Sequence, residues 1–153
     1  MQTAALVIRQ LTPEDAPVVA SFVARLLSEL APGTEVASAG LLPVAQTVME
    51  GGSVTGFLAL DGDVPAGLIM LNECAAVYAG GRFGEISELY VDPAVRSRGV
   101  AAQLVDRAVQ YGRAAGWHRL EVGAPRQPDW ARTLQFYQKN GFAETGPRLR
   151  RLL

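Results

Sequence analysis

Between Glu85 and Ala115 the chain changes its period. Glu85–Val91 alternates as a strand, and Asp92-Pro93 interrupts it. The apolar positions then return at helical spacing: Ala101, Leu104, Val105, Ala108, Gly112 and Ala115. A strand feeding a long helix through a tight turn leaves few architectures open, because the strand needs sheet neighbours and the helix must lay its apolar stripe on that sheet.

The flanking sequence supplies both. Leu6–Leu11 reads as a first strand. Thr12-Pro13-Glu14-Asp15 opens a helix with a hydroxyl cap, a proline at the first position and two acids at the positive end. Val18, Val19, Phe22, Val23, Leu26, Leu27 and Leu30 carry that helix to a stop at Pro32-Gly33. A weaker helix spans about Leu42–Glu50. Val54–Leu60 and Val64–Ala76 form a hairpin about the acidic turn Asp61-Gly62-Asp63. Beyond the long helix, which ends at Gly116, the spacing predicts a short strand Arg119–Val122, a helix Trp130–Asn140 stopped by Gly141, and a return to strand over Phe142–Leu153. The expected fold is α/β (α+β): a central mixed, twisted sheet of six to seven strands with about four helices on its faces.

Size and composition agree with one domain over residues 1–153. A chain of 153 residues, 49% hydrophobic and with net charge −1, can bury a core without disulfide or metal and is not disordered. No apolar run reaches membrane-spanning length, and the first residues lack a basic end followed by an apolar stretch. A cytoplasmic location and no membrane partner are expected. One cysteine, Cys74, and one histidine, His118, leave no ligand cluster for a metal. Cys74 reads as a buried, inert thiol and His118 as structural.

Charge is unevenly distributed. Residues 1–81 carry two arginines against eight acids, a net −6, whereas residues 82–153 sum to +5. A basic half within a neutral chain points to a local anion site, not to a nucleic-acid surface. Thirteen of the 14 cations are arginine, which suits bidentate phosphate recognition, although genome composition gives the same bias.

The turn itself reads Leu89-Tyr90-Val91-Asp92-Pro93-Ala94-Val95-Arg96-Ser97-Arg98-Gly99-Val100-Ala101. Free amides of a helix's first turn converge on one spot where the dipole favours negative charge. Gly99 removes a Cβ from that spot, Ala101 stays small, and Arg96 and Arg98 add positive charge. These parts fit a pyrophosphate. Both the Walker pattern GxxxxGK[ST] and the dinucleotide fingerprint GxGxxG are absent. An ordinary strand-to-helix turn with two solvated arginines is the alternative.

Arg96-x-x-Gly99-x-Ala101 resembles the R/Q-x-x-G-x-G/A signature of the GNAT superfamily of acetyl-CoA-dependent N-acetyltransferases. It follows Glu88-Leu89-Tyr90-Val91-Asp92-Pro93, as in many members. Further on, Phe136-Tyr137-Gln138-Lys139-Asn140-Gly141-Phe142 resembles the family's tyrosine helix closing in Gly-Phe. With the Thr-Pro-Glu-Asp start, the likeness runs along essentially the whole chain.

The resemblance implies a GNAT fold in which the strands before the turn and after the long helix splay, with pantetheine in the gap. Leu89, Tyr90 and Val91 would offer it backbone groups, and Arg96, Ser97, Arg98, Gly99, Val100 and Ala101 would hold the pyrophosphate. Acetyl-CoA is then the co-substrate, without metal, and the acceptor is an amine of a small molecule or a protein. Nucleic acid is not expected as a partner, and a homodimer is the default. Tyr137 is the candidate acid at the thioester sulfur; a core tyrosine is its other reading. Glu85, Glu88 and Glu121 are candidate bases, with Glu85 first by its spacing from Arg96. Strict alternation puts Glu85, Ser87 and Leu89 on one face and Ile86, Glu88 and Tyr90 on the other. Where many members have a cofactor-binding asparagine, this chain has Trp130, so that contact does not carry over. Arg132, one turn before Tyr137, could reach a phosphate or the substrate. A non-catalytic acyl-CoA-binding module of the same fold is the alternative function.

Overall fold

A computed structural model describes residues 6–153. Its strands are β1 (Leu6–Gln10), β2 (Val54–Asp61), β3 (Val64–Ala76), β4 (Gly81–Val91) and β5 (Leu120–Val122), and its helices are α1 (Ala16–Leu30), α2 (Ser38–Glu50), α3 (Val100–Ala115) and α4 (Ala131–Lys139). The five strands lie in chain order. β1 to β4 are antiparallel, and β5 joins β4 in parallel. The mixed α/β class is as expected, with one or two strands fewer.

Each face of the sheet has its own apolar cluster. α3 covers one face with Val100, Leu104, Val105 and Ala108 over Phe57, Ile69, Leu71 and Ile86, and Tyr137 of α4 joins that cluster. Sealing Leu104 and Val105 there stabilises the fold by about 1.5–3 kcal/mol per side chain. α1 and α2 cover the other face, where Val19, Phe22 and Ala45 meet Leu58, Leu68, Met70 and Tyr90. The entry to α1 is a short 3-10 turn, Pro13–Asp15. The Thr12 amide donates to the Asp15 carboxylate at 2.8 Å, and Arg9 clamps the same carboxylate through two 2.8 Å bonds.

Three boundaries depart from the spacing argument. α2 begins at Ser38 and contains Pro43. That proline's missing N–H costs only a bond to the first, solvated turn, so the helix survives it. β4 begins at Gly81, four residues before the expected start, and reads through Gly84. A Cβ at Gly84 would lie 2.1 Å from the Trp117 ring, so the glycine makes room for that ring and does not break the strand. Phe142–Leu153 is not a strand. Gly146 sits at φ +136°, Pro147 offers no donor, and β5 with its three residues gives little edge to pair with. The segment is tied down instead by Arg148, which lies over Gly123 and donates to Glu85 at 2.7 Å.

Candidate active site

β4 carries a bulge. Its pairing with β3 runs Leu71↔Ile86 and then Met70↔Glu88, leaving Ser87 without a partner. Strict alternation therefore fails here. Ile86 and Leu89, three apart, both pack on the α3 face. Glu85 and Glu88, on either side of the bulge, share the face of α1 and α2. Glu121 joins them there, because it pairs with Glu85 while Leu120 and Val122 pack on the α3 side. The three candidate bases thus lie on one face, a grouping the alternation argument had divided.

The bulge also ends the pairing with β5, which covers only Gly84–Ile86. From Ser87 to Val91, β4 has β3 on one side and, among the described residues, no strand on the other. The Asp92 amide donates to Ala66 at 2.8 Å, which sets the hydrogen-bonding phase. Tyr90 and Glu88 turn their backbone groups to β3, while Leu89 and Val91 direct theirs into the gap. The Val91 carbonyl accepts from Arg96 Nε at 3.0 Å, so the Leu89 N–H and C=O and the Val91 N–H are left for a ligand.

At the end of this open edge the chain turns into α3. The Asp92 side chain accepts from the Ala94 amide at 2.9 Å and starts a 3-10 turn, Pro93–Val95. Ser97 at φ +72° and Gly99 at φ +78° then curl the backbone. A left-handed serine costs about 1 kcal/mol, and glycine adopts the same conformation freely. The first intrahelical bond of α3 runs from the Gln103 amide to the Gly99 carbonyl at 3.1 Å, so the amides of Val100, Ala101 and Ala102 precede it. A Cβ built on Gly99 meets nothing within 4 Å, and the amides of Val100, Ala101 and Ala102 have no acceptor among the described residues. These amides fit an anion.

The arginines are used differently from the amides. Arg96 reaches back to Glu29 of α1 at 2.8 and 3.0 Å and stacks over the Tyr90 ring at 5.5 Å. Arg98 holds Asp61, at the β2–β3 turn, at 2.9 Å. Arg25 bonds Asp92 at 3.1 Å and lies over Tyr90 at 5.3 Å. Three arginine–carboxylate pairs thus fasten the turn to α1 and to the β2–β3 hairpin. Glu29 carries no local motif, and Asp61 and Ser87 read from the sequence only as a turn and a strand position; their part in the site comes from tertiary packing alone. Tyr90 is set in this brace by its ring, which packs on Phe22 with centroids 5.4 Å apart.

Tyr137 lies on α4 in the α3-side cluster, 6% exposed, between Phe136 and Phe142 at 5.3 and 5.4 Å. Its hydroxyl has no protein partner among the described residues, and it is not sealed in, since no buried polar side-chain atom lacks one. Burial pushes the phenol up to about 12. The helix closes as expected, with Gly141 at φ +94° and the Phe142 amide bonded to the Tyr137 carbonyl at 3.0 Å. Trp130 is the residue that precedes α4, half-buried, and Arg132 is exposed on its first turn.

Glu85 is held by Arg148 at 2.7 Å and Glu121 by Arg119 at 3.6 Å. Glu88 meets no cation among the described residues. It accepts a short bond from the Ser87 hydroxyl and lines a cavity between α1 and α2. Cys74 is half-buried, less than expected, and burial together with Glu85 and Glu121 holds its thiol in the protonated form. His118 is exposed beside Gly80.

Residues 26–142 match the model of the acetyltransferase (GNAT) family. The chain belongs to the GNAT family. An uncharacterised N-acetyltransferase of Methanocaldococcus jannaschii is 33% identical over 60 residues, which are 39% of this chain and 26% of that relative; the match spans about a quarter of the relative's length. Among solved structures, a GCN5-related N-acetyltransferase from Ralstonia eutropha superposes with a TM-score of 0.81 at 20% identity, over 97% of this chain and 99% of the other. A predicted acetyltransferase from Clostridium acetobutylicum, solved with acetyl-CoA, gives 0.78 at 18% identity over 97% and 96%. At these identities the structures establish the GNAT fold. GNAT enzymes use acetyl-CoA. No helix among the described residues is long and apolar enough to cross a membrane.

Proposed function

We propose that this GNAT protein transfers acetyl from acetyl-CoA to an amine by direct attack, with Glu88 as base and Tyr137 as hydrogen-bond donor to the leaving sulfur. The observation that carries it is the divided strand. β4 loses β5 at Ser87, so the backbone of Leu89 and Val91 faces the opening, with Glu88 between them and the bulge, and the turn into α3 directly after Val91.

Acetyl-CoA supplies an acyl thioester whose sulfur departs as a thiolate. The backbone of Leu89 and Val91 would orient the pantetheine arm, and the amides of Val100 to Ala102 would take the pyrophosphate. Arg96 and Arg98 act from behind, by bracing the turn against Glu29 and Asp61. Glu88 is favoured over Glu85 and Glu121 because each of those is neutralised by an arginine. Its carboxylate takes the proton that an ammonium must lose before nitrogen can attack and passes it to solvent. The second proton, shed by the nitrogen as the amide forms, offsets the one that reaches the thiolate. Tyr137 at about 12 is a weaker acid than a thiol, which sits near 8.5. Complete transfer from the phenol is therefore uphill. Its contribution is a hydrogen bond to the charge growing on sulfur, with the final proton coming from solvent.

Thermal unfolding with acetyl-CoA, ATP and NAD tests the ligand. At 100 times its dissociation constant a ligand adds about 2.7 kcal/mol, on the order of 5 °C for a chain of this size. A shift confined to acetyl-CoA is expected; equal shifts with all three would leave only an anion site. Thiol release on adding amines tests transfer. Tyr137→Phe should lower kcat about 100-fold with little change in KM for acetyl-CoA. An unchanged kcat would return Tyr137 to the core, and binding without thiol release would make the protein an acyl-CoA-binding module.

A further inference from the structure

We propose that the acceptor is a primary monoamine on a small branched aliphatic body, its ammonium at Glu88 and its hydrocarbon between α1 and α2. The assignment rests on the acetyl-transfer reading and extends it to the other half of the site.

A cavity of about 70 Å³ opens between the two helices and the sheet. Val19 and Val23 of α1, Val44 and Val48 of α2, and Met70 of β3 are among its walls, and Glu88 is the one charged residue in its lining. A carboxylate at the end of a hydrocarbon cleft recognises a cation attached to hydrocarbon. A hydroxyl or second ammonium placed against the buried Val19 would lose its water and gain no partner.

Charge pairing around the site points the same way. Glu29, Asp61, Glu85, Asp92 and Glu121 each hold an arginine, whereas Glu88 holds only the Ser87 hydroxyl. An incoming ammonium would complete it. Size narrows the body. A protein cavity that takes benzene measures about 150 Å³, so half that volume encloses about three carbons, and a branched body of up to about five extends onto the rim. Val44 and Val48, 55% and 40% exposed, form the rim.

The test is the rate of thiol release from acetyl-CoA by the full chain with ethylamine, propylamine, isobutylamine and isopentylamine, set against ethanolamine, putrescine and a peptide amine. kcat/KM should rise about fourfold per added methylene. Ethanolamine and putrescine should fall at least tenfold, on the order of ten, below the alkylamine of matching length. Val48→Asp, on the exposed rim where folding is not at stake, should turn the preference toward putrescine, and Ala45→Phe should abolish the gain per added methylene. A flat profile, or one led by putrescine or the peptide, overturns the acceptor class and leaves acetyl transfer standing. An acetyl-CoA-specific thermal shift with no amine consumed overturns both the class and the catalytic reading, but not the cofactor site.

Discussion

Up to Ile86, β4 is an interior strand, hydrogen-bonded to β3 and β5; from Ser87 onward it is an edge strand inside the sheet. The first part is packed on the α3 face and paired on both edges. Gly84 lies flat under Trp117, whose indole N–H is anchored to Glu73 at 2.8 Å. The second part leaves backbone donors and acceptors unpaired, which a stable sheet avoids unless something else pairs with them. One inserted residue separates the two regimes. A ligand site here is less a matter of special side chains than of where a sheet runs out of partners.

Removing that residue should have the largest effect. Deleting Ser87 restores regular pairing, keeps Glu88 and Leu89 on their present faces, and lets β5 close on the open edge. Circular dichroism should still report the mixed fold, while calorimetric affinity for acetyl-CoA falls by more than about 100-fold. Undiminished affinity would show that the gap does not hold the pantetheine.

Glu88→Gln keeps the shape and the cavity and removes the charge. kcat should drop by about 10²–10³ with acetyl-CoA affinity unchanged, as befits a base that touches only the acceptor. Glu85→Gln should cost much less, since it breaks a largely exposed pair with Arg148. The reverse order of the two variants would restore Glu85 as the base and move the acceptor toward the C-terminal segment.

The sheet-and-helix order was legible because period and punctuation agree. Thr12-Pro13 starts α1, Gly99 and Gly116 bracket α3, and Gly141 ends α4. The turn was legible for the same reason, since glycine at φ +78° opening a helix leaves a local mark. The bulge left none. Ser87 is an ordinary strand residue, and only the pairing with β3 reveals it as surplus, so the division of Glu85 and Glu88 between two faces by strict alternation does not hold in the fold. The brace was equally silent, because Glu29 and Arg96 are 67 residues apart and meet only through tertiary packing. The C-terminal segment misled in the opposite sense. Phe142–Leu153 reads as a return to strand, but a strand needs an edge, and that requirement lies outside the segment.

A smaller effect is expected at Gly99. Its side chain would meet open space, so Gly99→Ala brings only the left-handed penalty, about 1 kcal/mol. If the amides of α3 bind pyrophosphate, that substitution should also weaken acetyl-CoA several-fold, whereas Gly116→Ala, with φ +79° at the far end of the same helix, should cost similar stability and leave affinity alone. Equal affinities in the two variants would remove the α3 amides from the site.

The smallest effect separates the open end of β4 from the opposite corner of the sheet by pH. Two carboxyls are held below their usual range: Asp15 chiefly by hydrogen bonds from Arg9, Asp92 chiefly by the Ala94 amide. A carboxyl lowered on folding adds stability above its unfolded value, near 3.9, and that stability is lost as pH falls through the folded value. The melting temperature should therefore decline below about pH 4, and Asp15→Asn or Asp92→Asn should each flatten the decline by lowering the neutral-pH end. Only Asp92 also shapes the turn into α3. Asp92→Asn should weaken acetyl-CoA at pH 7 by about twofold to fivefold through its looser hold on Arg25, and Asp15→Asn should not. Matching losses of affinity in both would mean that the turn responds to global stability, and that the brace between α1 and β4 has no separate part in shaping the site.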